Sequence, residues 1–354
     1  RQKARPGSLV SLDVPSGICS DTGKPLEGAA AFASFTLTVG LIKQGLEQDL
    51  ALAHVGKLVR IDIGFGSKLF DLLPKKLLFR VLSSDLRTLR WPQPFLSASK
   101  YQRGRTLVFA GSDEYRGAAL LALKGALASG VGSVQAFIPK AIAHSLWEVA
   151  PEVVVSGTFG EEPARSNSLA ERLSALDFKR LDSILIGPGL GFSDSNWLLA
   201  SDTIKAFAGL VVLDADGLNQ LSSSPQGWEW IKERQGPTWI TPHHDEFRRL
   251  FPSIQNSFPL DAASEAAQLT GAVVLLKGAH SVIADPTGVT WQLVETVPWG
   301  VRAGFGDLLA GFAAGSGALA MASDSKLSGE VLVASAFLHA EAARICEKGS
   351  SPSV

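Results

Sequence analysis

The stretch Ala303-Gly304-Phe305-Gly306-Asp307-Leu308-Leu309-Ala310-Gly311 reads as a glycine turn that opens an apolar helix, with a carboxylate in the first turn. Glycine lets the backbone approach a ligand and adopt positive φ. The first turn of a helix presents N–H groups without intrahelical partners, and these suit an anion such as phosphate. Asp307 is favoured there by the helix dipole, and is placed to take a proton from a substrate hydroxyl beside a phosphoryl donor. Read alone, the same residues also describe an ordinary capped helix. The stretch Leu308–Ala322 is Ala- and Gly-rich and shorter than the roughly 20 residues of a membrane span, so it reads as a buried helix.

Outward from this point the chain alternates between short apolar runs and helical patterns. Strands are expected at 106–110, 133–138, 183–186, 210–214, 237–240, 272–276 and 281–284. Helices are expected at 117–129, 142–149, 169–175, 244–251, 260–269, 306–321 and 328–347. Such alternation predicts an α/β fold whose mostly parallel central sheet is covered on both faces. A shorter series precedes it, with strands at 8–13, 34–40 and 58–63 and a helical stretch at Gln44–His54. The expected organisation is a partial Rossmann-like α/β fragment at 1–66, a Pro-containing basic linker at 67–100, a main domain at 101–348 and a polar tail at 349–354.

In an open parallel sheet, ligands bind at the carboxyl ends of the strands. Several strand ends here carry residues with chemistry. Gly187-Pro188-Gly189-Leu190-Gly191 offers bare backbone, or simply a tight turn. Asp214-Ala215-Asp216-Gly217-Leu218-Asn219 follows another strand, and both carboxylates share a face if the strand continues. With Asn219 and Glu246, this pair can organise Mg²⁺ waters or a polar network. Thr241-Pro242-His243-His244-Asp245-Glu246 enters a helix; His243 can contact a ligand, and no third ligand stands at zinc spacing. Lys277-Gly278-Ala279-His280-Ser281 puts a cation at a strand end, suited to phosphate, although a lone lysine is more often a solvated charge. Gly117-Ala118-Ala119 opens a further helix with small residues, while His54, His144 and His339 read as structural.

Composition narrows the function. The 354 residues are 46% hydrophobic and 19% charged, which excludes a largely disordered chain. A net charge of −1 argues against a nucleic-acid partner. Cys19 and Cys346 fit neither a disulfide framework nor a zinc spacing, so a reducing, cytoplasmic setting is expected. No apolar run suggests a membrane span, and the basic start lacks an apolar signal core. The only methionine is Met321, so the chain, beginning at Arg1, reads as a piece of something longer or a processed product. There is no Walker A motif, no serine nucleophile elbow and no Cys–His pairing.

Taken together and in order over 106–320, the Gly-Ala helix start, Gly-Pro-Gly-Leu-Gly, Asp-Ala-Asp-Gly-Leu-Asn, Thr-Pro-His, Lys-Gly and Gly-Phe-Gly-Asp elements resemble the ribokinase-like NAD(P)H-hydrate dehydratase family. The resemblance implies a three-layer αβα fold and an ADP-dependent (or ATP-dependent) removal of water from the hydrates NADHX and NADPHX. It implies Mg²⁺ with the nucleotide and a homo-oligomer. Carried over by motif, Ala118, Gly189, His243 and Asp307 would contact the hydrate, with Asp307 catalytic. Lys277, Gly278, Ala279, His280, Ser281, Gly304 and Gly306 would contact the nucleotide. The position between the last two glycines is Phe305, where the family often has Thr, Ser or Met.

Leu12–Gly17, Asp21-Thr22-Gly23, Thr36-Leu37-Thr38 and Lys43–Leu46 are similar to the closing third of the NAD(P)H-hydrate epimerase domain. There the resemblance implies a substrate aspartate at Asp13 and a K⁺ ligand at Ser16, vestigial because the domain reads as incomplete. Epimerase activity is therefore expected to be absent. Two other readings remain open on the residues: a ribokinase-like small-molecule kinase, and a non-catalytic nucleotide-binding module.

Overall fold

The computed structural model describes residues 8–27, 29–72, 78–89, 91–160, 173, 175–191, 201–254, 258–295, 302–323 and 327–349. The described residues form two compact units. Residues up to Leu72 together with Gly278–His280 make the first, and Leu78–Lys277 with Ser281 onward make the second.

The first unit is a parallel sheet of β1 (Val10–Leu12), β2 (Phe35–Val39) and β3 (Lys57–Ile61), in that order. Its core is small: Ile18, Leu46, Ala51 and Val55, with Val14, Ala30 and Leu58 packed against them. Asp13 leaves β1 with φ 64. Its carboxylate accepts from the Val39 amide at 3.0 Å and pairs with the Lys43 ammonium. The Lys43 hydrogen bond, with that of Val39, holds the Asp13 carboxyl below its ordinary range. The Ser16 carbonyl accepts from the Ala31 amide at 2.9 Å. The amides of Ala279 and His280 both donate to the Asp49 carboxylate, at 2.9 and 2.8 Å.

The second unit is built on ten strands: β4 (Leu78–Val81), β5 (Arg105–Phe109), β6 (Ser133–Pro139), β7 (Val154–Phe159), β8 (Ser183–Ile186), β9 (Leu210–Leu213), β10 (Thr238–Ile240), β11 (Val273–Leu276), β12 (Val282–Ala284) and β13 (Thr290–Leu293). Their order is β4-β13-β12-β11-β10-β9-β8-β5-β6-β7. Only β12 runs against its neighbours; every other pairing is parallel. The expected seven strands are present. Three more were not expected: β4, β7 and β13 carry polar residues, and β4 and β7 lie at the sheet edges. β4 falls within the expected linker, which therefore contributes a strand to the large sheet.

Side-chain alternation explains the layers. Leu107, Phe109, Ile184, Ile186, Val211 and Leu213 enter one core with α2 (Asp216–Ser222), α3 (His244–Leu250) and α4 (Pro259–Thr270). Val108, Leu185, Leu210 and Val212 enter the other, with α1 (Arg116–Ala128), α5 (Phe305–Ala322) and α6 (Gly329–Gly349). A parallel sheet buried on both faces needs this uninterrupted apolar content. The helix expected at 142–149 is two short turns, Lys140–Ala143 and Leu146–Val149. That expected at 169–175 lies largely outside the described residues, as does the 350–354 portion of the tail.

α1 and α5 touch through glycine. A Cβ at Gly311 would come within 1.9 Å of the Ala122 carbonyl oxygen, and one at Gly125 within 2.0 Å of the Leu308 oxygen. α5 is apolar enough to pass for a membrane span, but 67% of it is buried as this core helix. Because backbone cannot yield to a new side chain, Gly311→Val is expected to cost about 3 kcal/mol or more of stability. A lowered denaturation midpoint with unchanged slope would register it.

Candidate functional site

The carboxyl ends of β8, β9, β10 and β11 bring their turns to one edge, where α5 also begins. Asp214 follows β9 and is nearly buried, at 2% side-chain exposure. It is not left unpaired: Lys277 Nζ donates to its Oδ1 at 2.6 Å and Thr241 Oγ1 at 2.9 Å. Lys277 itself is tied to the β10 end, its amide donating to the Pro242 carbonyl at 2.9 Å. Burial opposes the lysine's charge, but the Asp214 and Glu246 carboxylates outweigh it and raise its pKa. A cation held this way stays charged.

Asp214 and Asp216 do not share a face, contrary to the strand-based expectation. The strand stops at Leu213, Ala215 takes φ 48, and Asp216 starts α2. Asp216 turns to the β8 loop, where its Oδ2 accepts from the Gly191 amide at 2.8 Å. Asn219 donates to its Oδ1 at 3.3 Å, leaving the amide oxygen of Asn219 buried without a partner among the described residues. The β8 loop depends on its glycines at this junction. Gly187 has φ 133, and a Cβ there would come within 1.8 Å of the Asp214 carbonyl oxygen.

His243 is the N-cap of α3. Its Nδ1 accepts from the Asp245 amide at 3.1 Å, while Glu246 Oε2 accepts from the His243 amide at 2.8 Å. This reciprocal pairing is a capping box with histidine as the cap. Burial pushes the Glu246 carboxyl up to about 7 against the pull of Lys277. Burial, and then Lys277, lower the His243 pKa, so the ring is neutral at physiological pH.

At the start of α5, Gly304 is the N-cap with φ 86. Phe305 is turned inward at 8% exposure, with its ring meeting His339 edge-on at 4.8 Å. The aromatic side chain thus leaves the glycine backbone uncovered. His339 backs it as a neutral ring whose pKa burial lowers to about 4. A Cβ at Gly306 would lie 3.5 Å from Lys277 Nζ, which places that ammonium beside the helix start. Burial and the Asp214 charge raise the Asp307 carboxyl to about 6, with Lys277 opposing.

Two further sequence candidates meet at the β5–β8 end. Gly189 has φ 63, and a Cβ there would lie 2.6 Å from that of Ala118 and 2.8 Å from that of Tyr115. Ser281 stands at the entry of the β12–β13 hairpin, its carbonyl accepting from the Leu293 amide at 2.9 Å. Gly278, Ala279 and His280 group with the first unit. Two supports had no signal of their own in the sequence: the Thr241 hydroxyl, inside a recognised motif, and His339, 32 residues from Asp307 but behind the same turn.

Together these residues offer a carboxyl raised to about 6, a fixed cation and a glycine helix start whose Gly306 lies beside that cation. That is what proton removal beside a transferring phosphoryl group requires. The edge also matches known proteins. A family model described as NAD(P)H-hydrate dehydratase matches residues 106–353. A bifunctional NAD(P)H-hydrate repair enzyme from Synechocystis is 40% identical over 340 residues, covering 95% of this chain and 62% of its own length. Among solved structures, an ADP/ATP-dependent NAD(P)H-hydrate dehydratase from Bacillus subtilis, crystallised with ATP and Mg²⁺, aligns with TM-score 0.60 at 25% identity. That alignment covers 77% of this chain and 91% of the other. A ribokinase-like superfamily protein from Enterococcus faecalis aligns with TM-score 0.63 at 21% identity, covering 80% and 92%, and shows the same fold. The chain spans about 62% of the length of its Synechocystis relative. On the match across its second unit, the chain belongs to the NAD(P)H-hydrate dehydratase family.

Proposed function

We propose that the second unit dehydrates NADHX and NADPHX at the expense of a nucleotide, with ADP as donor and ATP as the alternative. The observation that carries this reading is the Asp307–Lys277–Gly306 grouping at the start of α5. Hydroxide is a poor leaving group and phosphate a good one. Asp307 accepts the proton of the C6 hydroxyl as that oxygen attacks the terminal phosphorus, whose bond to the bridging oxygen breaks to release AMP (or ADP when ATP is the donor). The amides of Gly304 and Gly306 and the Lys277 ammonium stabilise the charge on the moving phosphoryl group. The ring nitrogen lone pair then expels phosphate from C6, and loss of a C5 proton restores the ring double bond.

Ala118 and Gly189 would form the floor under the hydrated ring, with His243 at its side. Mg²⁺ fits as a partner of the nucleotide phosphates, where it would neutralise charge. Among the described residues no group of three His, Cys, Asp or Glu could cage a metal, and Asp214 is already paired. Mg²⁺ commonly keeps its waters and binds through phosphates and few side chains. A cytoplasmic setting belongs to the same reading, supported by two cysteines that are both free thiols.

The fate of the phosphate separates this from a kinase. With terminally labelled nucleotide and NADHX, label is expected in inorganic phosphate, matched mole for mole by NADH. Label retained in a stable phosphorylated product would favour the small-molecule kinase.

A further inference from the structure

A cleft of about 370 Å³ lies beside the site and takes no part in it. Among the described residues it is lined by Asp113, Lys140, Ala141, His144, Phe159 and Gly160. They lie at or just after the carboxyl ends of β5, β6 and β7, so the cleft opens on the same sheet edge as Lys277 and Asp307. It lies on the far side of β8 from β11. Along the edge the order is therefore Lys277, Asp214, the Gly187–Gly191 turn, the Gly111–Ala118 turn and then the cleft.

Gly111 joins the two regions. Its amide donates to the Pro188 carbonyl at 2.8 Å, inside the turn that carries Gly189. A Cβ there would lie 3.0 Å from Ile142 Cδ1 and 3.3 Å from Pro139 Cδ, next in sequence to the lining residues Ala141 and Lys140.

The lining has the chemistry of a nucleotide pocket. Lys140 and His144 are both exposed and stand four residues apart across a helical turn, so their side chains share one side. Together they suit a phosphate. Asp113 can accept from ribose hydroxyls, and Arg116 Nε donates to the Asp113 carbonyl at 3.1 Å, adding a cation to that rim.

The proposed substrate is a dinucleotide, yet the reaction uses only its nicotinamide ring. The phosphoryl donor occupies the β11–α5 side, so the rest of the substrate has to run the other way. Resting on the dehydratase reading, we infer that the Asp113–Lys140–His144 cleft holds the adenylate half of NADHX and NADPHX, with Lys140 and His144 on its phosphate.

Binding tests this without turnover. With saturating ADP closing the nucleotide site, the Kd of NADP⁺, NAD⁺ and nicotinamide mononucleotide is measured by calorimetry for wild type and for Lys140→Ala/His144→Ala. Both residues are exposed, and unchanged ADP affinity reports an intact fold. The double variant should weaken NADP⁺ by about tenfold, the loss expected for a charge-assisted contact, and leave the mononucleotide unchanged. A loss for NADP⁺ alone places the 2′-phosphate between the two cations, whereas an equal loss for NAD⁺ places the diphosphate there. Unchanged affinity for both dinucleotides, equal weakening of the mononucleotide, or no dinucleotide binding to ADP-saturated wild type would overturn the inference. Failure of the dehydratase reading shows separately, as absent turnover of NADHX.

Discussion

Replacing Asp307 with asparagine is expected to lower kcat by about a thousandfold while nucleotide affinity stays within a few-fold. General bases contribute about 10²–10⁴ to rate, and the amides and Lys277 that hold phosphate are untouched. The same change should stabilise the fold. Burial raises the Asp307 carboxyl from 3.8 to about 6, so the folded protein disfavours the charged form. The native group therefore costs nothing below about pH 4, where both folded and unfolded chains are protonated. Its cost grows as pH rises from about 4 to about 6 and is complete above that. Asparagine removes that cost, so the variant should melt about 2–4 °C higher at pH 8 and no higher at pH 4. In wild type the rate should fall as pH drops below about 6, because the base is then protonated. Full turnover in Asp307→Asn would remove its assigned role.

Lys277→Met should be the most destabilising change at the site. Asp214, at 2% exposure, would keep among the described residues only the Thr241 hydroxyl on its carboxylate. Breaking a buried ion pair by removing one member costs about 3–5 kcal/mol, because the other charge stays buried. A loss of about 6–10 °C in melting temperature follows. Adding Asp214→Asn should recover part of it, since the orphaned charge is gone; a double variant no better than Lys277→Met would refute the ion-pair account. Nucleotide affinity should fall as well and should not recover, because the cation beside Gly306 is lost in both variants.

The alternation of apolar runs made the central strands legible, since β5, β8, β9, β10 and β11 are buried on both faces and read as continuous apolar segments. The edge strands were not legible. Leu78–Val81 stands in a proline-containing basic stretch, and only its pairing with β13 makes it a strand. Asp214 and Asp216 were recognisable as a site pair but not as diverging, because Ala215 adopts a positive φ that no residue type announces. Phe305 could not be judged from sequence either. Whether it faces phosphate or core depends on His339, which arrives from a different helix. Glycines carried the most information, since Gly187 and Gly311 stand where another side chain would strike backbone and Gly304 where it would strike Leu121.

The most direct measurement is incubation of NADHX with this protein, Mg²⁺ and either ADP or ATP, following NADH absorbance. Regrowth is expected that requires nucleotide, saturates, and disappears in Asp307→Asn. A preparation that binds ADP tightly yet restores no NADH with either nucleotide would contradict it and leave a nucleotide-binding module in its place.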